Sequence, residues 1–403
     1  MTDTYTETTT KGWSTRIGES IKGILFGIVL IGLSCMLLFW NEGRAVQTTK
    51  SLNEGAGLVV DVGTGSVDPA NEGKLVHVTG DIKAGIKPND AEFGVSPDGL
   101  RLEREVEMYQ WTQHTKEETK KNLGGSEETV TTYSYSQEWS DTPVNSRNFK
   151  VPDGHFNPAM RYQSAQFKGG SVTLGAFRPN DNVVAMLPAS QEVLVDSAMA
   201  EALRSRVSGP VQAVDGRFYL GADPSTPRIG DMRVSYKAVP AGQVSVIGRQ
   251  SGSDFTDYPT KAGDKLLIVK PGTKSAVEMF SDAQTENKMW TWIIRIVGAV
   301  MMFVGFQLIF APLVVVADVV PMIGNVLGAG ASLVSFIATA VLAPLVIAIA
   351  WFWYRPLVSV IVLAVGGALA FGGFWLRGRH KAAAPKPAPT PEPTTAAPAP
   401  RPS

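Results

Sequence analysis

The chain has 403 residues, with 37 Lys+Arg balanced by 37 Asp+Glu, 44% apolar and only 18% charged residues. That apolar content excludes disorder over the whole length, and a single cysteine excludes a disulfide scaffold or a C-x-x-C metal or redox centre. The balanced charge speaks against a nucleic-acid partner, and it is a cancellation: residues 41–288 are net acidic and residues 289–403 net basic.

Taken from the N-terminus, Lys11, Arg16 and Lys22 precede an uncharged run, Gly23–Trp40. About 20 apolar residues carry a helix across a bilayer. A cleaved leader is shorter and ends on small residues, where Phe39-Trp40 stand here. The run is read as transmembrane helix 1, residues 23–40, after a cytoplasmic N-terminal segment, residues 1–22. Gly23 and Gly27 in it form G-x-x-x-G, a spacing that permits close helix approach. Asn41, Glu42, Gly43 and Arg44 follow at the headgroup boundary. There the two charges either bind a lipid or partner or form local ion pairs at an exposed helix end.

Residues 41–288 alternate between short strand-like segments and turn signals. Lys74–Thr79, Val106–Trp111, Val130–Tyr135, Val172–Phe177, Met232–Tyr236, Gln243–Ile247 and Leu266–Val269 predict strands, bounded by Gly, Pro and Asn-Asp turns. Tyr133 and Tyr135 share one face; cross-strand packing is the simpler reading and a binding surface the other. One helix is predicted from a Ser190 cap, with a stripe of Val195, Met199, Ala202 and Leu203, stopped by Gly209-Pro210. A second starts at Ser275, where Ser-x-x-Glu278 has capping-box spacing. Nothing breaks it before Trp290, so it should run on into the membrane.

Three further uncharged runs follow: Ile296–Ala317 (transmembrane helix 2, with its lead-in from 289), Ala331–Tyr354 (helix 3) and Leu357–Leu376 (helix 4), with Pro312 and Pro344 inside the first two. Six tryptophans, among them Trp40, Trp290 and Trp292, sit at span ends, where indoles favour the headgroup level. Basic residues before the first span and Arg377, Arg379 and Lys381 after the last place both termini in the cytoplasm, with Arg355 dissenting and the Asp318–Gly330 loop carrying no Lys or Arg. Residues 41–288 are then extracytoplasmic or lumenal. Residues 377–403 form a basic, then Pro/Ala-rich disordered cytoplasmic tail. The expected fold is an α+β membrane protein, with a β-rich extracytoplasmic domain inserted between transmembrane helix 1 and a C-terminal three-helix transmembrane bundle.

Chemistry is sparse. The four histidines are scattered, and none stands in H-E-x-x-H. His155, in Gly154-His155-Phe156-Asn157, is the nearest approach to a catalytic base, and an isolated turn histidine is the simpler reading. No catalytic, cofactor or metal site is predicted. The spans lack ionisable residues except Arg295, which is expected to snorkel to the interface.

Many collinear motifs resemble the transmembrane protein 43 family, also called LUMA. They are Asn41-Glu42-Gly43-Arg44-Ala45 after span one, then Glu107, Tyr109 and Trp111 in Val106–Trp111, and Tyr133, Tyr135 and Trp139. His155 and Asn157, Asp231 and Arg233, Lys261 and Asp264, and Tyr354-Arg-Pro356 complete the series. The resemblance implies a multi-pass protein that self-associates; animal members belong to the endoplasmic reticulum and inner nuclear membrane and are linked to envelope organisation through lamins and emerin. It carries no catalytic residues. The chain departs from the animal pattern over roughly residues 179–225 and in its tail, whose composition suggests a bacterial member with its domain in the periplasm. The resulting expectation is a non-enzymatic, homo-oligomeric scaffold whose partners are membrane lipid and other membrane or envelope proteins. A ligand-sensing module signalling through transmembrane helix 2, and an envelope- or lipid-acting enzyme, are the alternatives.

Overall fold

A computed structural model describes residues 4–356 and residue 360. The expected fourth span and the tail lie outside the described residues. The first compact unit ends at Ile347, and the described part of the second is the remainder of the last helix.

The chain opens with β1 (Thr4–Lys11) and a 46-residue helix α1 (Trp13–Leu58). Then come β2 (Val60–Val62), β3 (Leu75–Ile86), β4 (Arg101–Lys121), β5 (Glu127–Ser140), β6 (Ala165–Lys168), β7 (Gly170–Leu174) and α2 (Asp181–Ala185). Next are β8 (Gln191–Glu192), α3 (Ser197–Leu203), β9 (Val211–Val214), β10 (Arg217–Leu220), β11 (Met232–Val239) and β12 (Gly242–Ser251). Short strands β13 (Asp254–Thr256), β14 (Tyr258–Pro259), β15 (Lys265–Leu266) and β16 (Ile268–Pro271) lead to α4 (Ala276–Ala317) and α5 (Pro321–Tyr354). One sheet runs β1-β5-β4-β11-β10-β9, with β6 on β4 and β8 on β11. The other runs β13-β12-β3-β2, with β16 on β12 and β7 on β3. This is an α+β membrane protein: α1, α4 and α5 are each long and apolar enough to cross a membrane, and they flank a β-rich centre.

Each sheet buries its own core. Leu102, Val106, Met108, Phe218, Met232 and Val234 fill the first, under α3. Val76, Ile82, Leu174, Phe177, Val246 and Phe255 fill the second. A third cluster (Leu52, Leu75, Ile247, Leu266, Met279 and Phe280) joins both long helices to the second sheet. The predicted continuous helix is present. Its capping box is complete, and the Ser275 backbone N–H and hydroxyl, both donating to Glu278, hold that carboxyl below the usual carboxylate range.

α1 and α4 pack antiparallel, Gly27 against Gly305, Leu38 against Gly298 and Asn53 against Gln284. In lipid there is no hydrophobic drive to pair two apolar helices, so close backbone approach has to supply it. A Cβ at Gly27 would lie 2.6 Å from the Gly305 carbonyl oxygen, and one at Gly305 would lie 2.9 Å from that of Gly27. Gly23 is looser, 3.8 Å from Leu308. The glycine spacing thus serves packing inside the chain.

Three expectations change. Within the expected N-terminal segment, residues 4–11 form a strand: β1 is an edge strand of the first sheet, paired with β5 from Thr4↔Ser134 to Lys11↔Glu127. A run dominated by β-branched threonine favours this pairing. The helix expected from Ser190 begins only at Ser197, because Gln191–Glu192 pair with β11 and the Asp196 side chain, accepting from the Met199 N–H, is the actual cap. The loop expected over Asp318–Gly330 shrinks to residues 318–320, since Pro321 suits a first helical position where no N–H is needed.

Replacing Gly27 or Gly305 by leucine is expected to cost about 1–3 kcal/mol through overpacking. This is checked as a lowered unfolding midpoint in detergent, with Gly32→Leu, which meets nothing within 4 Å, unchanged.

Candidate functional site

The uncharged stretch of α4 is bracketed by Arg295 at one end and Asp318 at the other, and that of α1 by Glu42 and Lys22. At the first end the two helices are clasped by polar groups. Arg295 donates from Nε and Nη2 to Glu42 at 2.6 and 2.9 Å, and stacks its guanidinium 4.8 Å from the Trp292 ring. Asn41 donates to the Thr291 carbonyl at 3.0 Å, and Arg44 donates to Asn287, Thr291 and Asn41. Asn287 donates back to the Ala45 carbonyl. Gly43 lies half-buried between them. Two expectations are corrected here. Arg295 does not snorkel freely but is paired, and the Asn41–Arg44 motif is no exposed helix end, because α1 continues to Leu58 and Glu42 is 1% exposed. Trp40, Trp290 and Trp292 remain exposed around the clasp, as headgroup-level indoles should be.

The other end is closed by a second polar cluster. Asp318 has no exposed surface and accepts from Arg16 at 2.6 Å and from Lys121 at 2.8 Å. Arg16 also pairs with Glu127 at 2.8 Å and donates to the Gly125 carbonyl at 2.7 Å. Trp13 donates to the Val315 carbonyl, and the Gly124 N–H to that of Val319. Gly125 has φ +80°, and a Cβ there would sit 2.3 Å from the Trp13 ring, so both the turn and the approach require glycine. The tip of the β4–β5 hairpin is thereby docked on the α1 start and the α4–α5 corner.

Between these ends runs a three-stranded ribbon of β1, β5 and β4. From Trp111 to Lys121 a strand rising about 3.3 Å per residue extends about 33 Å. From Arg295 to Asp318 a helix rising about 1.5 Å per residue extends about 35 Å. The root of the ribbon belongs to the domain docked beyond Glu42 and its tip is fixed at Asp318, so whatever its tilt it traverses the same interval as the uncharged helices. One face carries Thr9, Thr129, Thr119, Thr131 and Tyr133 together with Glu7, which pairs with Lys150, and Glu117; it ends in Lys11, Lys121 and Glu127, and so turns toward the helix ends. The other carries His114, Lys116, Glu118, Lys120 and Glu128. Both long edges lack strand partners among the described residues: the outer side of β1, and that of β4 beyond Trp111. Asn157 marks where β4 loses its neighbour. Its side chain accepts from the Trp111 N–H at 2.7 Å and donates to the Trp111 carbonyl at 2.9 Å, completing the ladder as a strand would.

The other residues singled out from sequence fall into structural clusters. His155 is buried, stacked on Tyr135 at 3.9 Å, edge-on to Trp111 at 4.8 Å, with Nδ1 2.9 Å from the Val151 carbonyl oxygen. Tyr133 packs on Tyr5 of β1 with Lys150 over both rings. Glu107 pairs with Arg233 at 3.0 Å, Arg233 lies 4.0 Å over Trp139, and Trp139 packs on Tyr109. Asp231 accepts from the Tyr219 hydroxyl at 2.7 Å; burial first, then that bond, pushes the phenol well above its ordinary value. Glu54 accepts from the Lys261 N–H, and Gln47 donates to Asp264, pinning the turn between β14 and β15 to α1. No group of three His, Cys, Asp or Glu among the described residues is placed to hold a metal. Sequence reasoning missed Asp318, Arg16, Lys121 and Glu127 as one site. They are up to 302 residues apart, and each looks like an ordinary flanking charge.

The fold and its two polar ends define an integral membrane protein whose β-rich centre is clamped to both ends of an antiparallel helix pair. The chain belongs to the transmembrane protein 43 family, whose family model matches residues 108–356. It is 35% identical to mouse transmembrane protein 43 over 366 residues, covering 87% of this chain and 89% of that one. The human protein is 34% identical with the same coverage, and a Drosophila melanogaster homolog is 29% identical over 85% of this chain and 92% of its own. No solved structure matches.

Removing one partner of a buried pair strands a charge, at a cost of about 3–5 kcal/mol, whereas replacing both by apolar groups is near neutral. Arg295→Met alone is therefore expected to lower the unfolding midpoint sharply. Adding Glu42→Leu should restore most of the loss in a double-mutant cycle followed by thermal melting.

Proposed function

We propose that the protein is a self-associating membrane scaffold that organises membrane or envelope protein complexes through its β-rich region. The observation that carries this reading is the pair of open sheet edges on the ribbon. A strand edge is a template for another strand, and here the available partner is a second copy of the same chain. β1 and β4 both run toward the Asp318 end, so β1 of one copy pairs in parallel with β4 of the next around an axis along the membrane normal. Such head-to-tail contacts close into a ring when the rotation allows. The Arg16–Asp318 end lies on the cytoplasmic side, supported by Lys22 and the basic residues after the last span, and the bulk of residues 41–288 lies opposite.

Deletion of residues 1–11 should convert the oligomer to monomer by mass measurement in mild detergent while helical content is retained. In a Cys35→Ala background, Thr8→Cys combined with Glu118→Cys, two positions on the same ribbon face, should give an inter-chain crosslink. A strictly monomeric wild-type protein with no such crosslink overturns the reading.

A further inference from the structure

We infer that the ribbons of adjacent copies enclose a water-filled passage through the bilayer, open to small hydrated ions. This rests on the self-association proposed above. The ribbon traverses the interval bounded by Glu42–Arg295 and Asp318, which is also the interval of the uncharged helices. Its strand segments there, Thr4–Lys11, His114–Lys121 and Glu127–Ser134, contain one aliphatic residue, Val130. A strand that meets lipid carries an apolar face alternating with a polar one; this ribbon has an apolar face on neither side. Non-helical backbone at membrane depth persists only inside protein or against water. Neighbouring ribbons satisfy the edges; Lys150, Arg16 and Asp318 pair with Glu7, Glu127 and Lys121 on the helix-facing side, and water satisfies the charges of the face turned away from the helices.

The inside and outside follow from the tip. The face bearing Lys121 and Glu127 is held toward the chain's own helices by Arg16 and Asp318. The helices expose Leu25, Phe26, Ile296 and Val300, as a lipid-facing surface should. The opposite face, with Lys116, Glu118, Lys120 and Glu128, therefore points to the axis of the ring. Lys116 pairs with Glu118 at 2.6 Å, and Lys120 lies opposite Glu128 in register, so the lining balances two positive with two negative groups. A balanced lining in water discriminates weakly between cations and anions.

The test uses the full chain reconstituted into phosphatidylcholine–phosphatidylglycerol vesicles, with oligomer size measured by crosslinking on the same preparation and KCl current recorded after fusion to a planar bilayer. Current with a reversal potential near zero in a KCl gradient is expected. Glu118→Cys in the Cys35→Ala background should conduct, and a positively charged thiosulfonate reagent, added to the folded protein, should then reduce the current and move the reversal potential toward chloride. Glu54→Cys, on the domain side of the clasp, should not respond. Oligomers that give no current above bare lipid, or current indifferent to modification at residue 118, overturn the passage and leave the scaffold standing. Monomers in the vesicles overturn both.

Discussion

Arg16 and Lys121 converge on one carboxylate, Asp318, that has no exposed surface. A buried acid keeps its charge only with close partners, and removing one strands the others. This single cluster fixes where α1 begins, where α4 turns into α5, and where the β4–β5 hairpin ends. The register of β1 follows, because Lys11 lies opposite Glu127, which Arg16 also holds. Without the cluster, nothing would oblige a hairpin so polar to run beside apolar helices.

The helix pair shows the complementary solution. Over their uncharged lengths α1 and α4 have no charges with which to specify register, and glycine contacts at residues 27, 298 and 305 do it by shape. Polar clasps at the two ends then lock the register that the glycines permit. Beyond Glu42, the helices leave the uncharged interval and become part of the domain core through Leu52, Met279 and Phe280. The domain and the α1–α4 helix pair are consequently joined along α4, with a second connection through the ribbon.

The residues that carry the family resemblance are explained largely by this construction. Glu42 completes a clasp, Asn157 substitutes for a missing strand, His155 fills a slot between Tyr135 and Trp111, and Lys261 and Asp264 hold a turn to α1. Their chemistry is that of assembly: satisfied hydrogen bonds, paired charges and stacked rings. The proposed self-association and passage use other residues, the threonines and charges of the ribbon, which form no short motif.

By itself the sequence determined the first three spans, the β-rich class of the centre, the capped helix that enters the membrane and the family. Each rests on local physics: uncharged length, period-two alternation, capping geometry and collinear motifs. Only the tertiary structure decided that Thr4–Lys11 is a strand, that Arg295 belongs to Glu42, and that Asp318 gathers Arg16 and Lys121. Those outcomes depend on pairings between residues more than 100 positions apart. Composition at one position carries no record of which distant charge or strand edge will meet it.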